Sequence, residues 1–193
     1  MKLLEERILK DGRVIGKDIL KIDSFLNQQV DLTLLEEAGK EFKKAFADVP
    51  VTKILTIEAS GIAMAVMTAR AFDNCPVVFA KKDFTKLMVD DVYAAPIHSF
   101  TKGMDYHAIV SKKFLSADDH ILIIDDFLGN GDAIAGLIKV CRQSGATIEG
   151  VGVLIEKSFM RGIDRIENKG IKVVSLARIA SLKNGHIRFM EEG

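Results

Sequence analysis

The stretch ILIIDDFLGNGDAIAG, residues 121–136, decides the fold of this 193-residue chain. It opens with an unbroken hydrophobic run, which is typical of a central parallel strand covered on both faces. Two adjacent acids follow, Asp125 and Asp126, and then a glycine-containing turn that leads into a helix expected near 132–144. The segment therefore predicts a strand, a tight turn and a helix in immediate succession.

The flanking sequence repeats this alternation of strands and helices. Asp31 is placed as the N-cap of an apolar periodic segment over 32–47, which predicts an amphipathic helix. The alternation of strand-like runs with helical segments predicts an α/β fold with a doubly wound, mainly parallel sheet. Further strand-like runs lie at 53–58, 77–81, 150–156 and 171–176.

Two regions depart from this pattern. Residues 82–105 are polar and interrupted by glycine and proline, which favours a mobile loop or lid. The first 30 or so residues and the tail from about 178 to 193 do not fit the alternation, and we expect them to form a small hood over one edge. The chain is thus predicted to be a single domain, 1–193, with a hood.

Bulk properties limit the classes of partner. Lys and Arg total 27, as do Asp and Glu, so the chain lacks the cationic surplus of a generic nucleic-acid binder. No apolar run approaches the ~20 residues of a membrane-spanning helix, and the N-terminus does not resemble a signal peptide. Two cysteines without metal-ligand spacing suit a reducing compartment. We expect a cytoplasmic protein with no nucleic-acid or membrane partner.

The residues of 121–136 suggest a specific chemistry. Asp125 and Asp126 fall at the carboxyl end of their strand, where open α/β sheets place ligands. Gly129 and Gly131 allow backbone amides to face an anion at the start of the next helix. A ribose phosphate suits this arrangement, with the amides on its 5′-phosphate and the acids on its hydroxyls. The alternative interpretation is a sharp strand–helix turn with two solvated acids.

This segment resembles the phosphoribosyl pyrophosphate motif of the type I phosphoribosyltransferases. Asn130 stands where many members have threonine, and with ILKIDSFLNQQVD (19–31) and VLIEKSF (153–159) it makes the chain similar to the bacterial xanthine phosphoribosyltransferases. The likeness runs the full length and includes SLARIASL (175–182). It implies the type I phosphoribosyltransferase fold and a homodimer.

The resemblance also assigns residues to the two ends of a substrate. The lysine of the EKSF segment, Lys157, is expected at the exocyclic oxygen of a purine, with Leu20 and Asn27 of the hood as further base contacts. Phe159 is a candidate either for stacking on the base or for the core. The 5′-phosphate site carries over to Gly129, Asn130, Gly131, Asp132 and Ala133.

The pyrophosphate end is expected in two further segments. Ser60 and Gly61 of TIEASGI (56–62) match the pyrophosphate loop of the family, and they lie between a strand and a helix. Lys81 and Lys82 begin a loop, 81–101, that in relatives folds over the pyrophosphate and excludes water. Mg²⁺ is expected to arrive as the phosphoribosyl pyrophosphate complex, with no direct protein ligand.

The reaction implied is purine salvage, in which a ring nitrogen of xanthine displaces pyrophosphate from C1′ of the sugar to give xanthosine 5′-monophosphate. Guanine, hypoxanthine or adenine are alternative bases on the same scaffold. An alternative from a different functional class is a regulator that binds phosphoribosyl pyrophosphate as a signal and also binds nucleic acid. The balanced charge and the short N-terminal region disfavour that class.

Overall fold

The computed structural model describes residues 1–82, 91–99 and 103–191. The helices in this part of the chain are α1 (Lys2–Asp11), α2 (Leu32–Ala45), α3 (Gly61–Ala71), α4 (Asp132–Ser144) and α5 (Gly162–Glu167). The strands are β1 (Arg13–Ile15), β2 (Ile19–Lys21), β3 (Lys53–Ile57), β4 (Val77–Ala80), β5 (Val92–Ser99), β6 (Met104–Ser111), β7 (His120–Leu128), β8 (Thr147–Lys157), β9 (Val173–Ser181) and β10 (Arg188–Phe189). Single π- or 3₁₀-helical turns lie at Asp23–Asn27, Lys112–Phe114, Ser158–Met160 and Lys183–Gly185.

A six-stranded sheet in the order β10-β9-β8-β7-β3-β4 forms the centre of the molecule. All its pairings are parallel except that of β10 with β9. Strand β7 is covered on both faces, since Leu122 and Ile124 pack with Phe42 of α2, and Ile123 packs with Leu137 of α4. The predicted α/β class with a mainly parallel sheet is confirmed.

The N-terminal segment is attached to this core by apolar and ionic contacts. Leu4 and Ile8 of α1 are fully buried with the core cluster on the α2 face. Arg7 Nη1 donates to Asp31 Oδ2 at 2.6 Å, while Asp31 Oδ1 accepts the Leu34 amide at 3.1 Å, which confirms Asp31 as the N-cap of α2. Both interactions, the Leu34 hydrogen bond first, lower the pKa of Asp31. These contacts fix the predicted hood to the helix layer.

The tail leaves the sheet later than the sequence indicates. Strand β9 continues to Ser181 within the main sheet, and β10 then returns antiparallel beside it. The turn at 183–185 lies near β1, so the two ends of the chain meet on one side. The division of 1–193 into one domain and a hood stays a prediction.

The prediction of an irregular loop over 82–105 is wrong for residues 92–99 and 104–105, which lie in strands. Strands β5 and β6 form an antiparallel hairpin in register from Val92–Ser111 to Ser99–Met104. Its alternate apolar side chains are buried against α4, where Gly136 leaves room for Ile97: a Cβ there would lie 2.4 Å from Ile97 Cγ1. Residues 83–90 and 100–102 of the predicted loop lie outside the described residues.

Candidate active site

The acid pair lies near the carboxyl end of the central strand β7. Asp125 is 4% exposed and Asp126 9% exposed, and the Asp126 amide donates to Asp125 Oδ1 at 2.9 Å. Burial raises the pKa of Asp125 well above its usual value, the adjacent Asp126 charge raises it further, and Lys82 opposes both. A buried carboxyl group with a raised pKa is characteristic of functional sites.

A cavity of about 180 Å³ opens at the same end of the sheet, between the β7–α4 turn and the end of β8. It brings together all five residues predicted for the 5′-phosphate and the lysine predicted for the base. Gly131 has φ 79°, a left-handed conformation that suits glycine, and it caps the N-terminus of α4. The cavity is lined by Tyr106, Phe127, Gly129, Asn130, Gly131, Asp132, Ala133, Ile134, Lys157 and Met160.

Helix α5 supports the turn from outside. A Cβ atom on Gly162 would lie 2.0 Å from the Gly129 carbonyl oxygen and 2.7 Å from the Gly131 nitrogen, so only glycine fits there. Arg165 of α5 also forms an ion pair with Asp132 at 2.5 Å, which offsets the Asp132 charge beside a potential anion site. The sequence signal for this role is weak: a glycine that opens a short helix after a strand.

The Ser60–Gly61 segment adjoins the acid pair. Gly61 begins α3, and a Cβ on it would lie 2.9 Å from Asp125 Oδ1 and 2.4 Å from Thr56 Oγ1. Ser60 is the N-cap residue, and its side chain makes no capping hydrogen bond. The preceding Glu58–Ala59 peptide bond is cis. The predicted pyrophosphate segment therefore lies against the buried Asp125 carboxylate.

The two adjacent lysines contact different groups. Lys81 Nζ lies 3.4 Å from Glu58 Oε2, and the Lys81 backbone pairs with Ile109 of the hairpin. Lys82 Nζ lies 5.4 Å from the centroid of the Tyr106 ring. Since Lys82 also lowers the pKa of Asp125, it is the lysine of this pair whose charge acts on the acid site.

At the opposite side of the cavity, Lys157 meets the hood. Its Nζ donates to the backbone carbonyl of Asp18 at 2.6 Å and lies 5.3 Å from the Phe127 ring centroid. Burial lowers the pKa of Lys157, and the nearby Asp18 and Asp126 charges oppose that shift. Lys157 thus links the end of β8 to the β1–β2 turn.

The other predicted base residues lie outside the cavity wall. Leu20 is 4% exposed and packs in the core, while Asn27 is exposed at the end of the π-helical turn. Phe159 is 39% exposed, and its neighbour Met160 lines the cavity instead. Met160 Sδ approaches Gly129 closely, at 3.2 Å from where a Cβ would stand.

Four cavity residues are not identified from the sequence: Phe127, Met160, Tyr106 and Ile134. Phe127 directly follows the acid pair, which is a usable signal because the carboxyl end of a parallel strand faces the ligand site. Met160 lies one position past the residue selected for stacking. Tyr106 carries no sequence signal, since it lies just past the predicted loop 82–105 and in no predicted strand or helix.

Two further features concern metals and membranes. Within residues 1–82, 91–99 and 103–191, no group of three or more His, Cys, Asp or Glu side chains is placed to hold a metal ion. Among the helices of these residues, none has the length and apolar character needed to cross a bilayer.

No protein-family model matches the chain, but individual proteins do. It is 50% identical over 192 residues to xanthine phosphoribosyltransferase from Latilactobacillus sakei, covering 100% of this chain and 98% of the relative. The Streptococcus uberis xanthine phosphoribosyltransferase is 53% identical over 191 residues, with 99% and 98% covered. That of Clostridium novyi is 52% identical over 189 residues, with 98% and 99% covered.

Solved structures agree on the fold. The APRTase from Giardia lamblia complexed with 9-deazaadenine superimposes with a TM-score of 0.77 at 21% identity, covering 91% of this chain and 97% of that one. Adenine phosphoribosyltransferase from Rhodothermus marinus gives 0.74 at 20% identity, covering 93% and 100%. These confirm the phosphoribosyltransferase fold, and the full-length matches at half identity show that the chain belongs to the xanthine phosphoribosyltransferase family.

Proposed function

We propose that this protein transfers the 5-phosphoribosyl group of phosphoribosyl pyrophosphate to xanthine, giving xanthosine 5′-monophosphate and pyrophosphate. The observation that carries the proposal is that one cavity joins the glycine-containing turn 129–133 to Lys157, with the buried pair Asp125 and Asp126 beside it. The curated relatives named above supply the identity of the base.

The turn 129–133 is the proposed 5′-phosphate site. It combines backbone amides with the positive end of the 13-residue helix α4, which together favour an anion. Gly162 holds the turn from behind, and Arg165 keeps the Asp132 carboxylate engaged. The proposed phosphate site therefore combines backbone amides with an acidic side chain whose charge is paired to Arg165.

Asp125 and Asp126 are the proposed ribose residues, accepting hydrogen bonds from the 2′- and 3′-hydroxyls. Mg²⁺ would arrive bound to phosphoribosyl pyrophosphate, and the two carboxylates would help to hold that complex through water. Bound in that way, the ion would offset the charge of the departing pyrophosphate. The acids themselves hold the sugar in line for attack.

Lys157 is the proposed base-binding cation. Xanthine carries two carbonyl groups and is more acidic than other purines, so a cation at its exocyclic oxygen favours it. Leu20 and Asn27 remain predicted base contacts from the hood. The hydrogen bond from Lys157 to the Asp18 carbonyl supports a base site that includes the hood turn.

The proposed leaving-group site is formed by Ser60, Gly61, Lys81 and Lys82. As the purine nitrogen forms its bond to C1′, the C1′–oxygen bond breaks and its electron pair leaves with pyrophosphate, while the proton of the purine passes to water. The cations and amides stabilise the charge that develops on the leaving oxygen. No residue of the chain needs to form a covalent intermediate.

We further propose that the protein is a cytoplasmic homodimer, as the family resemblance implies. Light scattering coupled to size-exclusion chromatography measures the assembly, and a monomer at micromolar concentration would contradict this part. We propose no nucleic-acid partner, because the balanced charge of the chain disfavours one.

The test is incubation of the purified protein with phosphoribosyl pyrophosphate, Mg²⁺ and each of xanthine, guanine, hypoxanthine and adenine in turn. We expect the largest kcat/KM with xanthine. We also expect the nucleoside monophosphate and pyrophosphate to form in equal amounts. A larger kcat/KM with another purine would reassign the base, and turnover with none of them would remove the enzymatic proposal. Omission of Mg²⁺ should abolish turnover.

A further inference from the structure

The chain has two tyrosines, and both lie on the β5–β6 hairpin. Each is half-buried and carries a lysine ammonium over its ring: Lys82 at 5.4 Å from Tyr106, and Lys112 at 5.8 Å from Tyr93. They differ in one respect. Tyr106 lines the site cavity with the turn 129–133, whereas Tyr93 is not among its lining residues.

The Tyr106 hydroxyl lacks a hydrogen-bond partner among the residues that the structure describes. Burial raises the pKa of Tyr106, and the charges of Asp125 and Asp132 raise it further, so the group stays a hydrogen-bond donor at neutral pH. Both carboxylates are already engaged, Asp125 with the Asp126 amide and Asp132 with Arg165. Because Tyr106 lines the cavity, an oxygen of a bound substrate is available as the acceptor for this donor.

We propose that the Tyr106 hydroxyl donates a hydrogen bond to the 5′-phosphate of the substrate, with Lys82 holding the ring in place. This rests on the proposed function, because it requires a ribose phosphate on the turn 129–133. Phosphate is the substrate group that suits this part of the cavity, since half of the lining residues come from that turn. A charge-assisted O–H···O⁻ bond here would seat the sugar from the hairpin side.

The first experiment uses tyrosine fluorescence, since the chain contains no tryptophan. In the Tyr93→Phe variant, Tyr106 is the sole emitter. We expect a saturable change in emission on titration with ribose 5-phosphate, and no such change with Tyr106→Phe, in which Tyr93 alone emits. Ribose 5-phosphate that binds Tyr93→Phe by calorimetry without altering its emission would overturn the inference. Absence of any binding would overturn both the inference and the proposed phosphate site.

The second experiment is steady-state kinetics on the same variants. Tyr106→Phe keeps the ring and its lysine contact but loses the hydroxyl, and we expect KM for phosphoribosyl pyrophosphate to rise roughly tenfold or more. KM for xanthine should stay within about twofold, since the bond is to the other substrate. Tyr93→Phe should leave both constants unchanged.

These outcomes separate the two proposals. A wild-type protein without xanthine activity contradicts the proposed function, whereas the fluorescence titration still tests the phosphate contact. An unchanged KM for phosphoribosyl pyrophosphate in Tyr106→Phe overturns the contact and leaves the proposed function standing. Equal melting temperatures of the two variants show that the kinetic difference is not a difference in folding.

Discussion

The two ends of the site cavity are built in different ways. At the phosphate end, the consecutive residues 129–133 lie on one turn, and its shape follows from backbone conformation and from the Gly162 contact. At the base end, Lys157 and the Asp18 carbonyl come together although 139 positions separate them in the chain. The first end depends on local geometry and the second on how the hood docks, so different substitutions should damage each.

The largest expected effect is at the phosphate end. Gly162→Ala places a methyl group 2.0 Å from the Gly129 carbonyl oxygen, which forces the turn to move. A displacement of about 1 Å at a catalytic site can cost about 100-fold in rate, so we expect kcat/KM for phosphoribosyl pyrophosphate to fall roughly 100-fold. Steady-state assays at saturating xanthine measure it.

Gly170→Ala is the matched control. Gly170 has φ 75° and open space around its Cβ position, so alanine there should destabilise the fold by about 1 kcal/mol without touching the cavity. We expect near-normal kcat/KM from this variant. Equal losses in the two variants would mean that Gly162 acts through general stability and not through the turn.

At the base end we expect a smaller and more selective loss. Lys157→Ala removes a cation and its link to the hood, and kcat/KM for xanthine should fall roughly tenfold to 100-fold with the phosphate end intact. Lys172→Ala is the control: Lys172 Nζ likewise binds a backbone carbonyl, Ala45 at 2.5 Å, and lies 5.1 Å from an aromatic ring. Equal kcat/KM for Lys157→Ala and Lys172→Ala on every purine would remove the base assignment.

The same contrast explains how far the sequence could predict the site. The acid pair, the phosphate turn and the central sheet follow from one contiguous segment, in which residue type and position both point to the same local geometry. Lys157 is assigned through the family resemblance of the EKSF segment, and the structure puts it in the same cavity. Gly162 and Tyr106 were missed, since their roles exist only after α5 and the hairpin dock onto the turn.

The hairpin shows why such misses occur. Polar residues and Pro96 in segment 92–99 disrupt the expected alternation, although Pro96 is exposed and tolerated. Burial of Ala95 and Ile97 against α4 determines the structure, and that is a tertiary contact that no window of sequence contains. Predictions near the hood, Leu20 and Asn27, rest on family likeness for the same reason.

A third expected effect concerns the acids between the two ends. Since the pKa of Asp125 is raised, and the ribose contact needs the ionised form, kcat/KM should fall with decreasing pH earlier than for an ordinary carboxylate. Lys82 is a cation that lowers this pKa, so Lys82→Met should move the acid limb of the pH profile to higher pH. The measurement is kcat/KM for phosphoribosyl pyrophosphate across the acidic range.

Lys81→Met provides the comparison for this pH effect. Lys81 pairs with Glu58 and is not among the groups that shift the Asp125 pKa. The Lys81→Met variant can change the rate, but the acid limb of its pH profile of kcat/KM should stay at the wild-type pH. If both variants move the limb equally, the shift reflects a general loss of positive charge and not the Lys82 contact.

The smallest expected effect is on stability, and it compares the two ends of strand β7. Folding raises the pKa of Asp125, so its ionised form costs stability at pH values above its unfolded pKa, and the cost disappears at acidic pH. Asp125→Asn keeps the acceptor for the Asp126 amide and should raise Tm at neutral pH by a few degrees, as about 1 kcal/mol would in a chain of this size, while abolishing turnover. No gain should remain at acidic pH.

Asp119, just before β7, is the control, because folding shifts its pKa in the opposite direction to that of Asp125. Burial acts to raise its pKa, but hydrogen bonds from Lys53 and from the Ser116 amide outweigh it and lower the pKa. Its ionised form therefore stabilises the fold above the lowered pKa, and Asp119→Asn should reduce Tm at neutral pH. Thermal melts of both variants at neutral and acidic pH measure these effects. A Tm for Asp125→Asn at or below the wild-type value at neutral pH would contradict the prediction. It would mean that interactions within the protein compensate the buried charge of Asp125, so that this charge does not destabilise the substrate-free fold.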